Sequence, residues 1–126
     1  MPVDFVWEDD DKTVIRYRAL GQWNWNDFHK TVRISTFQLE RLDHAIETLF
    51  DLTGSSRLPA GAVGHLRTLG KADHERRRPR AIVIGADAAL QRQVGAVDGV
   101  YAAEDQLLHF VPTEAAAQEL LMLWRA

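Results

Sequence analysis

The stretch from Ala45 to Leu66, AIETLFDLTGSSRLPAGAVGHL, decides the fold. A nearly continuous apolar run ends at Asp51, a loop rich in Thr, Gly and Ser follows, and Pro59 stands where a helix would open. Consecutive apolar residues are typical of a strand that is covered on both faces, and proline suits a first helical turn. The stretch therefore predicts a strand–loop–helix junction, the place where open α/β proteins bind a ligand or a phosphate.

Upstream of this junction, the sequence predicts a hairpin and a long helix. Residues 3–7 and 13–20 alternate apolar with polar side chains and are separated by a polar turn, which is typical of two antiparallel strands. Asn24 then suits a helix N-cap, with Asp27 completing a capping box. Apolar residues recur at helical spacing over 25–42 and predict a helix to about Leu42.

Downstream of the junction, helices alternate with strands. We expect, in order, a glycine-rich helix at 59–71, a strand at 81–85, a helix at 88–97, a loop at 101–105, a strand at 107–111 and a final helix entered at 112–114. Such alternation requires crossovers, which make neighbouring strands parallel. The predicted order is ββαβαβαβα, a mixed, mostly parallel sheet with an antiparallel N-terminal hairpin, in a single α/β domain over residues 1–126.

Composition excludes several classes of function. The 126 residues include no cysteine, which excludes disulfides, thiolate metal sites and a cysteine nucleophile. The five histidines show no metal-binding spacing, so we expect no metal and no cofactor. A formal charge of −3 disfavours nucleic acid as a partner, and no apolar run reaches the roughly 20 residues of a membrane span. We expect a soluble, cytoplasmic protein in which the basic run His74–Arg80 is a solvated loop end.

Several short stretches carry a resemblance to a known family. They are the turn Leu20-Gly21-Gln22-Trp23, the strand end Phe50-Asp51-Leu52-Thr53, Gly61 at the second helix, and Thr113-Glu114-Ala115-Ala116 at the last helix. With these stretches and this element order, nearly the whole chain resembles the STAS domain, the fold of bacterial anti-sigma factor antagonists. It is also similar to the Sec14-like branch of that superfamily. The resemblance implies a STAS-like fold and a regulatory role through protein contacts.

The chain departs from the family at the regulatory position. In the antagonists Asp-Ser-Ser-Gly opens the second helix and one of its serines is phosphorylated, whereas the matching stretch here is Leu58-Pro59-Ala60-Gly61. Ser55 and Ser56 lie earlier, in the predicted loop. Ordinary capping of backbone amides is the favoured role for these two serines, and their phosphorylation is the alternative.

The leading hypothesis is a non-catalytic STAS-like regulatory or protein-interaction domain that binds a partner or a second copy of itself. Its predicted ligand- or partner-binding residues are Asp51, Thr53, Ser55, Ser56 and Arg57. Its predicted interface residues are Trp23, Trp25, Ile34 and Phe37. For the two tryptophans, packing over the helix start is favoured and an exposed contact is the alternative. For Ile34 and Phe37, a wider core face of the helix is the alternative to a contact with another subunit.

Two other hypotheses remain open at this point. A small-molecule or lipid-binding protein of the Sec14-like type would open an apolar pocket by lifting the glycine-rich helix at 59–71. A small enzyme would use the 51–65 junction, with Asp51, the hydroxyls of residues 53–56 and His65 in acid–base roles. No catalytic motif is present, so the enzyme is the least favoured of the three.

Overall fold

The strands and helices of the computed structural model, which describes residues 2–71 and 73–125, confirm the mixed α/β architecture. Their order is β1 (Val3–Trp7), β2 (Val14–Ala19), α1 (Trp25–Leu39), β3 (Ile46–Asp51), α2 (Ala62–Leu69), β4 (Arg77–Ile84), α3 (Ala88–Val94), β5 (Val100–Ala103), β6 (Gln106–Val111) and α4 (Glu114–Arg125). The six strands form one sheet in the order β1-β2-β3-β4-β6-β5. The pairs at the two edges are antiparallel and the pairs between them are parallel.

Side chains alternate between the two faces of the sheet, and each face has its own core. In β2, Ile15 and Tyr17 belong to a core shared with α1, α2 and α3, while Val14 belongs to a smaller core shared with α4. Burying apolar surface on both faces is the main force that holds such a layered fold together. We call these two sides the three-helix face and the α4 face.

The predicted capping box at the start of α1 is confirmed. Asn24 Oδ1 accepts a hydrogen bond from the backbone N–H of Asp27 at 2.9 Å, and Asp27 Oδ2 accepts one from the backbone N–H of Asn24 at 3.1 Å. The helix ends at Leu39, three residues before the predicted end. The chain tightens there, because the N–H of Leu42 bonds to the carbonyl of Leu39 in a turn with three-residue spacing.

The predicted helix at 59–71 is wrong in its bounds. The structure places α2 at Ala62–Leu69, so Pro59 precedes the helix instead of opening it. Gly61 occupies the N-cap position with φ of +86°, a left-handed conformation that glycine adopts without strain. The helix therefore begins after this glycine, and it has no side-chain cap.

Two further predictions need correction. The predicted loop at 101–105 contains β5, because Asp98 and Gly99, both at positive φ, reverse the chain so that Val100–Ala103 pairs with β6. The basic run at 74–80 is not a solvated loop end, since β4 begins at Arg77. Arg77 is only 7% exposed, because its side chain packs beside Tyr17. Within residues 2–71 and 73–125, none of the helices has the length and apolar character that crossing a membrane requires.

Candidate functional site

The residues predicted to form one site at the end of β3 are distributed over separate hydrogen-bond networks. The Asp51 carboxylate accepts hydrogen bonds from the Thr53 backbone N–H at 2.9 Å and the Thr53 hydroxyl at 2.6 Å. Its other oxygen accepts one from Arg16 at 2.8 Å. Burial raises the pKa of Asp51, but the hydrogen bonds from Thr53 and Arg16 outweigh burial and hold that pKa below its usual value. Asp51 is thus an ionised carboxylate with partners on both oxygens.

Ser55 belongs to a second network. Its hydroxyl accepts a hydrogen bond from the Trp23 indole N–H at 2.8 Å and donates one to the carbonyl of Arg57 at 3.2 Å. The backbone N–H of Ser56 also donates to the carbonyl of Gly21 at 2.9 Å, which ties the loop to the start of α1. The side chains of Ser56 and Arg57 are exposed. Ser55 therefore ties the loop to Trp23, but neither of its side-chain hydrogen bonds caps a backbone amide, which differs from the capping role predicted for it.

Of the predicted interface residues, the two tryptophans are buried and the two α1 residues are exposed. Trp23 is 8% and Trp25 is 7% exposed, and their rings meet edge to face at 4.7 Å in the core beside Phe50. This burial agrees with packing of the tryptophans over the helix start and corrects their assignment as interface residues, because the buried ring surface is not free to meet a partner. Ile34 and Phe37 are 44% and 71% exposed on α1.

A cavity that the sequence does not predict lies on the three-helix face between α1 and α2. Its volume is about 100 Å³. Its lining combines apolar side chains (Phe28, Val32, Leu69), hydroxyl groups (Tyr17, Thr48, Thr68) and ionisable groups (His29, His65, Lys71, Asp73, Arg77). Small-molecule sites combine apolar walls with convergent polar groups, and this cavity contains both.

Arg77 supplies the buried charge of this cavity. Its guanidinium donates to the hydroxyl of Tyr17 and makes long hydrogen bonds of 3.4 Å to Thr48 and Ser35. Its Nε lies 2.8 Å from Asp73 Oδ1, but the N–H does not point at that oxygen, so the contact is an ion pair without a directed hydrogen bond. The Asp73 side chain is 56% exposed, whereas that of Arg77 is 6% exposed.

A histidine pair joins α1 to α2 at the same cavity. His29 Nε2 lies 3.2 Å from His65 Nδ1, and the His65 ring stacks on Trp25 at 4.5 Å. Burial lowers the pKa of His65, and the charge of His29 lowers it further. His65 bonds to His29 while Asp51 bonds to Arg16 and Thr53, so the residues of the enzyme hypothesis are not assembled into one site. Across residues 2–71 and 73–125, no group of three or more His, Asp or Glu side chains is placed to hold a metal ion.

Comparison with known proteins supports the fold. The chain is similar to the crystal structure of an uncharacterised protein of the DUF3478 family, with a SpoIIAA-like fold, from Shewanella loihica PV-4. The TM-score is 0.59 at 15% sequence identity, and the alignment covers 94% of each chain. At this identity the likeness shows the fold alone, and it confirms the STAS-like architecture predicted from the sequence. No protein-family model matches the chain, and no curated protein matches it significantly.

Proposed function

We propose that the protein is a non-catalytic binding domain that takes a small molecule in the cavity between α1 and α2. The observation that carries the proposal is the lining of that cavity, where Phe28, Val32 and Leu69 provide an apolar wall and the Arg77 side chain a buried polar group. A non-catalytic role is favoured because Asp51 and His65, the residues of the catalytic alternative, are bonded in separate networks.

The size of the cavity limits the ligand. Its volume of about 100 Å³ is below the ~150 Å³ of an engineered apolar cavity that holds benzene. A lipid chain is therefore too large unless α2 moves away from the sheet. We expect ligands of benzene size or smaller, with one polar end directed at β4.

A fragment screen by ligand-detected NMR tests this proposal, using neutral and charged fragments of benzene size or smaller. The variant Val32→Phe fills the cavity from α1, and Val63→Phe is the matched control, since Val63 is half-buried on α2 and does not line this cavity. We expect fragments to bind the wild type and Val63→Phe but not Val32→Phe. A screen in which no fragment binds the folded wild type, or in which Val32→Phe binds equally well, contradicts the proposal.

A second candidate function is regulation by protein contact, favoured by the exposure of Ile34 and Phe37. These residues are three positions apart on α1 and so lie on the same side of the helix. For this candidate we expect self-association through α1, which light scattering measures as a mass that Phe37→Ser reduces to that of a monomer. Val97→Ser is the control, since Val97 is 73% exposed outside the helices. A monomeric wild type removes this candidate.

A further inference from the structure

The guanidinium of Arg77 has fewer acceptors than its burial demands. An arginine side chain is always charged and carries five N–H donors. Burying such a charge is costly unless the donors are paired and hydrogen-bonded. Arg77 is 6% exposed at its side chain, yet its Nε–H has no directed acceptor among the described residues, and two of its contacts are 3.4 Å hydroxyls. The cavity thus contains a buried cation with unused hydrogen-bonding capacity.

The carboxylate that does reach Arg77 comes from an exposed side chain. Asp73 lies in the connection between α2 and β4, and its side chain is 56% exposed. An exposed carboxylate gains little from an ion pair, because water solvates it well when the pair is broken. Replacing Asp73 at Arg77 by another carboxylate therefore costs the protein little and leaves the charge balance of the cavity unchanged.

We infer that the ligand of this cavity is a small organic acid, whose carboxylate takes the place of the Asp73 carboxylate on Arg77. This inference rests on the proposed function and names its ligand class. Arginine and a carboxylate form two parallel, charge-assisted hydrogen bonds when both are free to align. The incoming carboxylate would supply the directed acceptor that Nε–H lacks, and the Asp73 side chain would turn into solvent.

The rest of the cavity favours a carboxylate over inorganic phosphate. Phe28, Val32 and Leu69 form an apolar wall that suits the hydrocarbon part of an organic acid. Inorganic phosphate has no hydrocarbon part that could contact this wall, so it would leave the apolar side chains without a matching surface. The Thr68 hydroxyl donates to the His65 carbonyl at 2.8 Å, so it can accept a hydrogen bond from a second polar group on the ligand. A short branched or cyclic monocarboxylate fits this combination of one charged end and a compact apolar body.

Isothermal titration calorimetry with matched probes tests the inference on the full chain. Isobutyrate carries the carboxylate, isobutyramide has the same shape without the charge, and inorganic phosphate is the alternative anion. We expect isobutyrate to bind at least about tenfold more tightly than isobutyramide, because a charge-assisted pair is worth roughly twice a neutral hydrogen bond. We also expect phosphate to bind more weakly than isobutyrate.

The variant Asp73→Asn tests whether Asp73 competes with the ligand for Arg77 or serves only to stabilise the fold. It removes the competing carboxylate, so we expect it to tighten isobutyrate binding by severalfold. Glu75→Gln is the matched control, since Glu75 is an exposed carboxylate in the same connection and does not line the cavity. It should leave the affinity unchanged. Because Asp73 is largely exposed, its substitution is not expected to prevent folding.

Each other outcome overturns the inference in an identifiable way. If isobutyramide and isobutyrate bind equally well and Val32→Phe abolishes both, the proposed binding function holds. The inference that the ligand is an acid is then wrong. Tighter binding of phosphate would replace an organic acid by an inorganic anion. If Asp73→Asn binds isobutyrate with unchanged or lower affinity, the ligand carboxylate does not replace that of Asp73 on Arg77. Absence of binding by both isobutyrate and isobutyramide overturns the inference, and a silent fragment screen would then overturn the proposed function as well.

Discussion

The two faces of the sheet each bury one arginine, and the two side chains are satisfied very differently. On the α4 face, Arg16 is 6% exposed and donates hydrogen bonds to Glu8, Asp51 and Glu114 at distances of 2.5 to 3.0 Å. On the three-helix face, Arg77 is 7% exposed and meets one misaligned carboxylate and three hydroxyl groups. Arg16 thus has three carboxylate partners, whereas Arg77 has one.

The difference shows that the burial of a charge does not by itself mark a binding site. Burial lowers the pKa of Arg16, but its carboxylate partners outweigh burial and raise that pKa above the usual range. The hydrogen bond from Arg16 likewise lowers the pKa of Glu114. This network ties β2, β3 and α4 together. Arg77 retains unsatisfied donors beside a cavity, which is why the binding proposal is centred on it.

The largest effect is expected from breaking the network around Arg16. Arg16→Met should lower the free energy of unfolding by about 3–5 kcal/mol, because it leaves the partly buried carboxylates of Glu8 and Asp51 without their cation. Arg18→Met is the matched control on the same strand, since Arg18 and its partner Asp4 are 40% and 35% exposed at their side chains. It should cost about 1 kcal/mol or less. Urea unfolding measures both values, and equal losses would contradict the contrast between the two pairs.

A smaller effect on stability is expected from Arg77. Arg77→Met keeps the length of the side chain, leaves the hydrogen bond of 2.7 Å between Tyr17 and Ser35 in place, and releases an Asp73 that water solvates. The loss should be about 1–2 kcal/mol, the cost of a few modest hydrogen bonds. Arg78→Met, at an exposed position of the same strand, is the control and should cost less. If Arg77→Met loses as much stability as Arg16→Met, Arg77 is needed for the fold as much as Arg16 is.

Local patterns in the sequence predict most of the fold and little of the site. The hairpin and the capping box at Asn24 are predicted because strand alternation and cap chemistry involve residues close together in the chain. The bounds of α2 are predicted wrongly because both Pro59 and Gly61 are typical of a helix start. Only the φ of +86° at Gly61 shows that the helix begins after Gly61. β5 is missed because an edge strand of four residues owes its conformation to pairing with β6.

The site is missed because its partners are distant in sequence. Asp51 is singled out from the sequence as a binding residue at a strand end, but its partner Arg16 lies 35 positions away, and no local pattern joins the two. Arg77 stands in a run of basic residues that reads as a solvated loop. Its burial follows from the start of β4 at that position, which places it beside Tyr17, 60 positions earlier.

The loop after β3 offers an intermediate effect. Ser55→Ala should lower the free energy of unfolding by about 1 kcal/mol, because the indole N–H of Trp23 then loses its acceptor. Ser56→Ala should be nearly neutral, since its side chain is exposed. Thermal unfolding of the two variants measures the difference. If Ser55→Ala does not change the free energy of unfolding, the bond to Trp23 contributes nothing to stability, and the alternative role of Ser55 as a phosphorylated residue is favoured.

The helices on the two faces also differ in their glycine content. α2 contains Gly64, whereas α4 contains no glycine. Gly64→Ala should stabilise the protein by about 0.5–1 kcal/mol, because alanine is a better helix former and the space around a Cβ there is open. Gly61→Ala is the opposite control, since its φ of +86° penalises a side chain by about 1 kcal/mol. Destabilisation by Gly64→Ala would indicate that this part of α2 packs more closely than the structure shows.

The smallest expected effect is a dependence of the free energy of unfolding on pH. It comes from His65 on the three-helix face and His109 on the α4 face. Burial lowers the pKa of His65 and of His109, and the charges of His29 and Arg80, respectively, lower them further. The folded protein then disfavours their protonated forms, so stability present above the ordinary value of 6.5 is lost as the pH falls below it. His44 has the opposite sign, because the Lys12 carbonyl and Asp43 raise its pKa.

These signs can be tested by measuring the free energy of unfolding at about pH 7.5 and about pH 5.5, on either side of the usual histidine pKa. His65→Gln and His109→Gln should each reduce the loss of stability on acidification. His44→Gln should increase it, since that variant removes a group whose protonation favours the folded state. If His65→Gln has no effect while His109→Gln does, the imidazole on the three-helix face takes up its proton as easily in the folded as in the unfolded chain. Water would then reach the part of the cavity that His65 lines, which would weaken the case for an apolar ligand there.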